Sequence, residues 1–90
     1  MRIEYEDEKR KLTLFHRGLD MAEAALVFAG STLTLTDDRH DYGEDRFITV
    51  GTLHDRMVVI VWTPRADARR IISLRKANAR EQTRYRNRLD

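Results

Sequence analysis

The chain of 90 residues has no cysteine, which removes disulfides and thiolate metal sites together and makes a reducing cytoplasm the expected setting. One proline and four glycines leave few breaks, and neither a repeat nor a linker divides the sequence, so a single domain over residues 1–90 is expected. No apolar run exceeds six residues; Met57 to Trp62 is such a run. That is too short to cross a membrane, and the charged start Met1-Arg2-Ile3-Glu4 lacks a signal-peptide pattern, so no membrane association is expected.

What the chain does have is charge, unevenly placed. From Pro64 to Asp90 there are nine Lys/Arg and three acids, a balance of +6; the first 63 residues carry eight bases and twelve acids, a balance of −4. The small net total therefore conceals a cationic last third, and clustered arginine suits a polyanionic partner, nucleic acid first.

Hydrophobic periodicity predicts an α+β fold with a mostly antiparallel sheet, two N-terminal helices on one face and a C-terminal helix. A short strand over Arg2–Tyr5 leads into a helix over Asp7–Arg17, with Leu12, Phe15 and Leu19 on its apolar side and Gly18 as a left-handed cap. Asp20 with Glu23 reads as a capping box for a second helix from Met21 to Phe28 or Ala29. Strands are predicted over Thr32–Thr36, Arg46–Leu53, Met57–Thr63 and Arg69–Lys76, with Pro64 to Ala68 as a turn. The unbroken Val58-Val59-Ile60-Val61-Trp62 run marks a central strand buried on both faces. Asn78 and Glu81 cap a last helix reaching about Arg88, with Arg80, Arg84 and Arg88 as a basic stripe and only a weak apolar side of Gln82, Tyr85 and Leu89. The sheet face away from the early helices is then free for function.

Strict alternation along the last strand puts Arg70, Ile72, Leu74 and Lys76 on one side and Ile71, Ser73 and Arg75 on the other. A strand holds such cations rigidly, and a rigid arginine can fork onto a phosphate and stabilise extra negative charge in a transition state. Arg65, in the turn that leads into this strand, is expected to converge on the same place. Arg70 or Arg75 could instead pair with Glu44, Asp45 or Asp67. His16, at the carbonyl end of the first helix, is the best proton-transfer candidate of three histidines; His54 beside Asp55 reads as a turn residue. The acidic stretch Asp37 to Asp45 reads chiefly as an exposed hairpin loop, with a metal site on Asp37, Asp38 and His40 as a minor reading.

Several segments in order resemble one family: Asp7-Glu8-Lys9-Arg10, Arg17-Gly18-Leu19-Asp20-Met21, Ala24-Ala25-Leu26-Val27-Phe28, Glu44-Asp45-Arg46-Phe47, and Arg70 to Ala77 followed by Glu81 and Tyr85. The chain resembles the BrnT family of type II toxins over essentially its whole length. The resemblance implies a RelE-like fold, a metal-independent endoribonuclease that halts translation, no cofactor, and a ribbon-helix-helix antitoxin of BrnA type that masks the toxin and carries the complex to operator DNA. It also implies that Arg46, Arg65, Arg70, Arg75 and Lys76 match the family's basic active face. Where many members read Lys-His-Gly this chain has His16-Arg17-Gly18, and where they read Asn it has Thr13.

The expected chemistry is attack of an RNA 2′-hydroxyl on the neighbouring phosphate. Arg65, Arg70 and Arg75 would neutralise the phosphate. Lys76 or His16 would act as acid and Glu44 or His16 as base, while Arg46, Arg70, Arg80 and Arg84 hold RNA. The rival expectation is a basic binding module that catalyses nothing and acts through an antitoxin or DNA complex.

Overall fold

The computed structural model describes residues 1–89. Five strands form one sheet in the order β1-β5-β4-β3-β2, with β1 (Arg2–Glu4), β2 (Leu33–Thr36), β3 (Phe47–Leu53), β4 (Arg56–Arg65) and β5 (Ala68–Lys76). Among the described residues only the β1–β5 pair is parallel. Helix α1 (Asp7–Arg17), a 3₁₀ turn (Met21–Glu23) and α2 (Ala24–Phe28) precede β2; α3 (Ala79–Tyr85) and a second 3₁₀ turn (Arg86–Arg88) follow β5.

The expected central strand is β4, with Val58, Val59 and Ile60 all buried. Its alternation splits the core in two. Val58, Ile60 and Trp62 join Ile71, Leu74 and the helix residues Met21, Ala24 and Val27 on one face. Val59 joins Val50, Ala77, Tyr85 and Leu89 on the other. α2 can lie directly on β3 because position 51 is glycine: a Cβ there would stand 2.5 Å from Val27 Cγ1. On the same face Trp62 Nε1 donates to Thr49 Oγ1 at 2.8 Å, and that hydroxyl also shares a 2.8 Å hydrogen bond with Thr34 Oγ1, so these three side chains satisfy one another.

Local signals set the turns. Gly18 takes φ 67° and its N–H donates to Leu14 O, closing α1 with a left-handed cap. His54 and Asp55 both have positive φ in the two-residue loop between the paired Leu53 and Arg56, as a type I′ hairpin turn demands. The capping box at Asn78 is complete in both directions. The one at Asp20 is half made: Asp20 Oδ1 accepts from Ala22 N–H, while Glu23 turns to His54 Nε2 at 2.8 Å. The helix expected from Met21 therefore opens as 3₁₀.

Five expectations are corrected by the structure. The apolar residues of α1 face outward, with Leu12 54% and Phe15 81% exposed, and the helix has no buried residue at all. It docks instead through Arg10 and Arg17, which share the opposite side: Arg10 forks onto Asp20 at 2.7 and 3.0 Å, and Arg17 Nη1 donates to Leu74 O at 2.8 Å. Pro64 belongs to β4 rather than to a turn, paired with Arg69. It lies past the last β3 partner, Trp62, where a missing N–H costs the sheet nothing on that side.

Strict alternation also fails in β5. A register shift between Val61 and Trp62 lets Ile71 and Leu74, three residues apart, enter the same core. Finally, the far face of the sheet is not left open over its whole length, because Tyr85 and Leu89 are buried against Val50 and Val59 and anchor the C-terminal segment. That segment leaves α-geometry after Tyr85, so Arg88 does not continue the stripe of Arg80 and Arg84.

Candidate active site

The basic residues divide into two groups. Arg65 pairs with Ala68 at one end of β5 and Arg75 lies seven residues further along it, so their backbones are roughly 20 Å apart at ~3.3 Å per residue. The expected convergence of Arg65, Arg70 and Arg75 on one phosphate does not occur.

The first group surrounds a hollow. β1 pairs only with Ala68 to Arg70 of β5, so the rest of that β5 edge has no strand neighbour among the described residues, and the carbonyl end of α1 comes to rest beside it. His16, Arg17, Arg75 and Lys76 line a hollow of about 390 Å³ there. Arg17 closes the edge by donating to Leu74 O. Lys76 stands between this hollow and a smaller one of about 240 Å³ bounded by Arg56 and Gln82.

Arg75 is held by an acid. Its Nη1 and Nη2 donate to the two carboxylate oxygens of Glu81 at 2.7 and 2.8 Å. Glu81 also accepts from Asn78 N–H, so the carboxylate is fixed from two directions. The fork from Arg75 drives the Glu81 pKa down to about 2 against the opposing effect of burial, with Asn78 N–H and the Arg84 charge adding to the drop. In return Glu81 raises the Arg75 pKa, while burial and the nearby charge of Arg39 pull it down. Glu81 occupies one edge of the guanidinium. The edge formed by Nε and the second Nη2 proton meets no acceptor among the described residues, and it is the edge that can fork onto an oxyanion.

The second group sits at the other end of the sheet. Glu44 Oε2 accepts from Arg46 Nε at 3.2 Å, and Glu44 Oε1 lies 3.8 Å from Arg65 Nη2. Arg46 stacks on the Tyr42 ring, 3.9 Å from its centroid. Arg70 lies 3.8 Å from Glu4, and Asp67 pairs with Arg2, so the acids expected to bind Arg70 and Arg75 are not the ones that do. Arg69 goes under the helices, 4.1 Å from the Phe28 ring centroid. Arg80 and Arg84 are exposed on α3.

Asp37 is spent on structure. Its carboxylate takes a two-pronged contact from Arg39 at 2.7 and 2.8 Å and a third bond from Arg39 N–H, which holds its pKa below the usual carboxylate range. It is not gathered with Asp38 and His40 as ligands, and no group of three or more His, Asp or Glu suited to a metal ion occurs among the described residues. Sequence reasoning gave no site role to Arg39 or Glu81; only the fold shows that each acts on Arg75.

The profile of the family described as "Ribonuclease toxin, BrnT, of type II toxin-antitoxin system" matches residues 5–81. The chain belongs to the BrnT family. A search of curated proteins found no match. The matched span takes in both groups of basic residues and Glu81, but stops before Arg84 and Tyr85, so the BrnT match does not extend to the buried anchor of the last segment. BrnT toxins are ribonucleases of type II systems, which sets RNA as the substrate class and an antitoxin as the partner class. Among the described residues of this BrnT chain no helix is long and apolar enough to cross a membrane.

Proposed function

We propose that this BrnT protein cuts RNA in the hollow between α1 and the β5 edge, by attack of a 2′-hydroxyl on the adjacent phosphorus. The bond from phosphorus to the 5′-oxygen breaks, leaving a 2′,3′-cyclic phosphate and a 5′-hydroxyl. The observation that carries this reading is the convergence of His16, Arg17, Arg75 and Lys76 on one hollow. His16 takes the proton of the attacking hydroxyl and Lys76 returns one to the leaving oxygen. The free edge of Arg75 forks onto the phosphoryl oxygens, and Arg17 adds charge from the rim.

Glu44 and Arg65, first expected in the catalytic set, belong with Arg46 and Arg70 on a second basic surface that holds the RNA strand away from the reacting bond. Arg80 and Arg84 serve the same end on α3. Charge neutralisation by three fixed cations supplies what a divalent ion would otherwise contribute, so cleavage proceeds with chelator present. A ribbon-helix-helix antitoxin of BrnA type covers the cationic surface in the cytoplasm and takes the complex to operator DNA.

The test is incubation of purified protein with a defined RNA and excess chelator, with the product ends identified. Cyclic phosphate ends that disappear in a His16→Ala/Lys76→Ala double variant support the reading. Intact RNA under all conditions, with RNA still bound, returns the protein to the rival class of a basic binding module.

A further inference from the structure

We infer that Phe15 is a stacking platform for a nucleobase beside the scissile phosphate, a role that rests on the hollow being the RNA site. Phe15 is 81% exposed, well beyond Leu12 or Leu26, the next most exposed large apolar side chains of α1 and α2. With Leu12, 54% exposed one turn earlier, the ring extends an apolar patch on the outer side of α1, and an exposed apolar patch is the kind of surface that marks a binding face. Its neighbours identify the occupant. The Phe15 ring meets the His16 ring edge-on, with centroids 5.0 Å apart, and His16 lines the hollow with Arg17, Arg75 and Lys76. An aromatic face one ring removed from a cationic hollow, with His16 between them, offers the pairing that single-stranded nucleic acid requires: cations take the phosphate and the ring takes the base.

The geometry also explains why α1 is turned around. Docking through Arg10 and Arg17 puts the polar side of the helix against the body and sends Phe15, with Leu12 one turn earlier, to the outer side. A protein partner would bury this apolar side too, but the charge beside it comes from Arg17, Arg75 and Lys76, and it is the phosphate of a nucleotide that this charge complements. Stacking tolerates any base, so Phe15 sets affinity and alignment more than sequence preference.

The test uses a short fluorescently labelled 2′-O-methyl RNA, which lacks the attacking hydroxyl, with affinity measured at low and moderate salt for the parent, Phe15→Leu, Phe15→Trp and Lys76→Gln. Phe15→Leu is expected to weaken binding by roughly 5- to 150-fold, the equivalent of ~1–3 kcal/mol per stacked base, with the salt dependence unchanged. Lys76→Gln weakens binding and flattens the salt dependence. Phe15→Trp retains affinity and its fluorescence is quenched on binding, over the constant signal of buried Trp62.

Parent-like affinity in Phe15→Leu overturns the stacking role while leaving the hollow as the RNA site. Parent-like RNA affinity together with lost antitoxin binding assigns the patch to a protein partner and overturns it equally. A parent chain that binds no RNA overturns the site reading, and the stacking role with it.

Discussion

Glu81 and Arg75 are joined by two parallel hydrogen bonds, from Nη1 and Nη2 to the two carboxylate oxygens at 2.7 and 2.8 Å. This pair ties the first turn of α3 to the end of β5, and it orients the guanidinium that borders the hollow. A depressed carboxylate stabilises the fold above its unfolded pKa and loses that contribution as pH falls through the folded value. For Glu81 the window runs from its ordinary 4.5 down to about 2. Glu81→Gln is therefore expected to lower stability at neutral pH by about 1–2 kcal/mol, after discounting for partial exposure. The difference from the parent should shrink towards pH 2. Denaturant titrations of both proteins across this range check it.

Helix α1 hangs on Asp20. That carboxylate accepts a fork from Arg10 and the N–H of Ala22, and α1 itself has no buried side chain to replace them. Asp20→Ala is expected to cost about 2 kcal/mol, combining a lost cap with a lost charged hydrogen bond. Amide exchange should speed up in α1 and in the 3₁₀ turn while the protons of β4 stay protected.

Gly51 sets the spacing of α2 over β3. A Cβ at this position would meet Val27 Cγ1 at 2.5 Å, with Thr32 Cγ2 at 3.1 Å. Gly51→Ala should therefore destabilise by about 1–3 kcal/mol through overpacking. Val27→Ala in the same chain should recover part of that loss. A thermodynamic cycle over the two single variants and the double variant reads the coupling directly.

These sites differ in how far the sequence announces them. Gly18, the Asn78 and Glu81 cap, the His54-Asp55 turn and the buried run through Ile60 are local signals, and each appears in the structure where the sequence put it. Periodicity also found the two sides of α1, but period alone cannot say which side meets the body. The deciding contacts, Arg10 with Asp20 and Arg17 with Leu74, are polar, and the second spans 57 positions of sequence. The same limit applies at the hollow. Arg65 and Arg75 flank or occupy one strand, yet the antiparallel register of β4 and β5 places them at opposite ends, and one bulge moves Ile71 to the face of Leu74. Cations could be counted from sequence; their grouping required the pairing.

The second basic surface should act on binding more than on chemistry. Arg46→Ala and Arg65→Ala are expected to raise KM for RNA several-fold and to reduce the salt dependence of binding, with kcat nearly unchanged. Equal losses in kcat would move Glu44, Arg46 and Arg65 into the reacting centre.

The most direct test of the account is the cleavage rate of purified Arg75→Ala protein under saturating RNA, with folding checked by thermal melting. Loss of the guanidinium is expected to lower kcat by about 10²- to 10³-fold, the scale of losing one oxyanion donor. A folded Arg75→Ala protein that cuts RNA at the parent rate would contradict it.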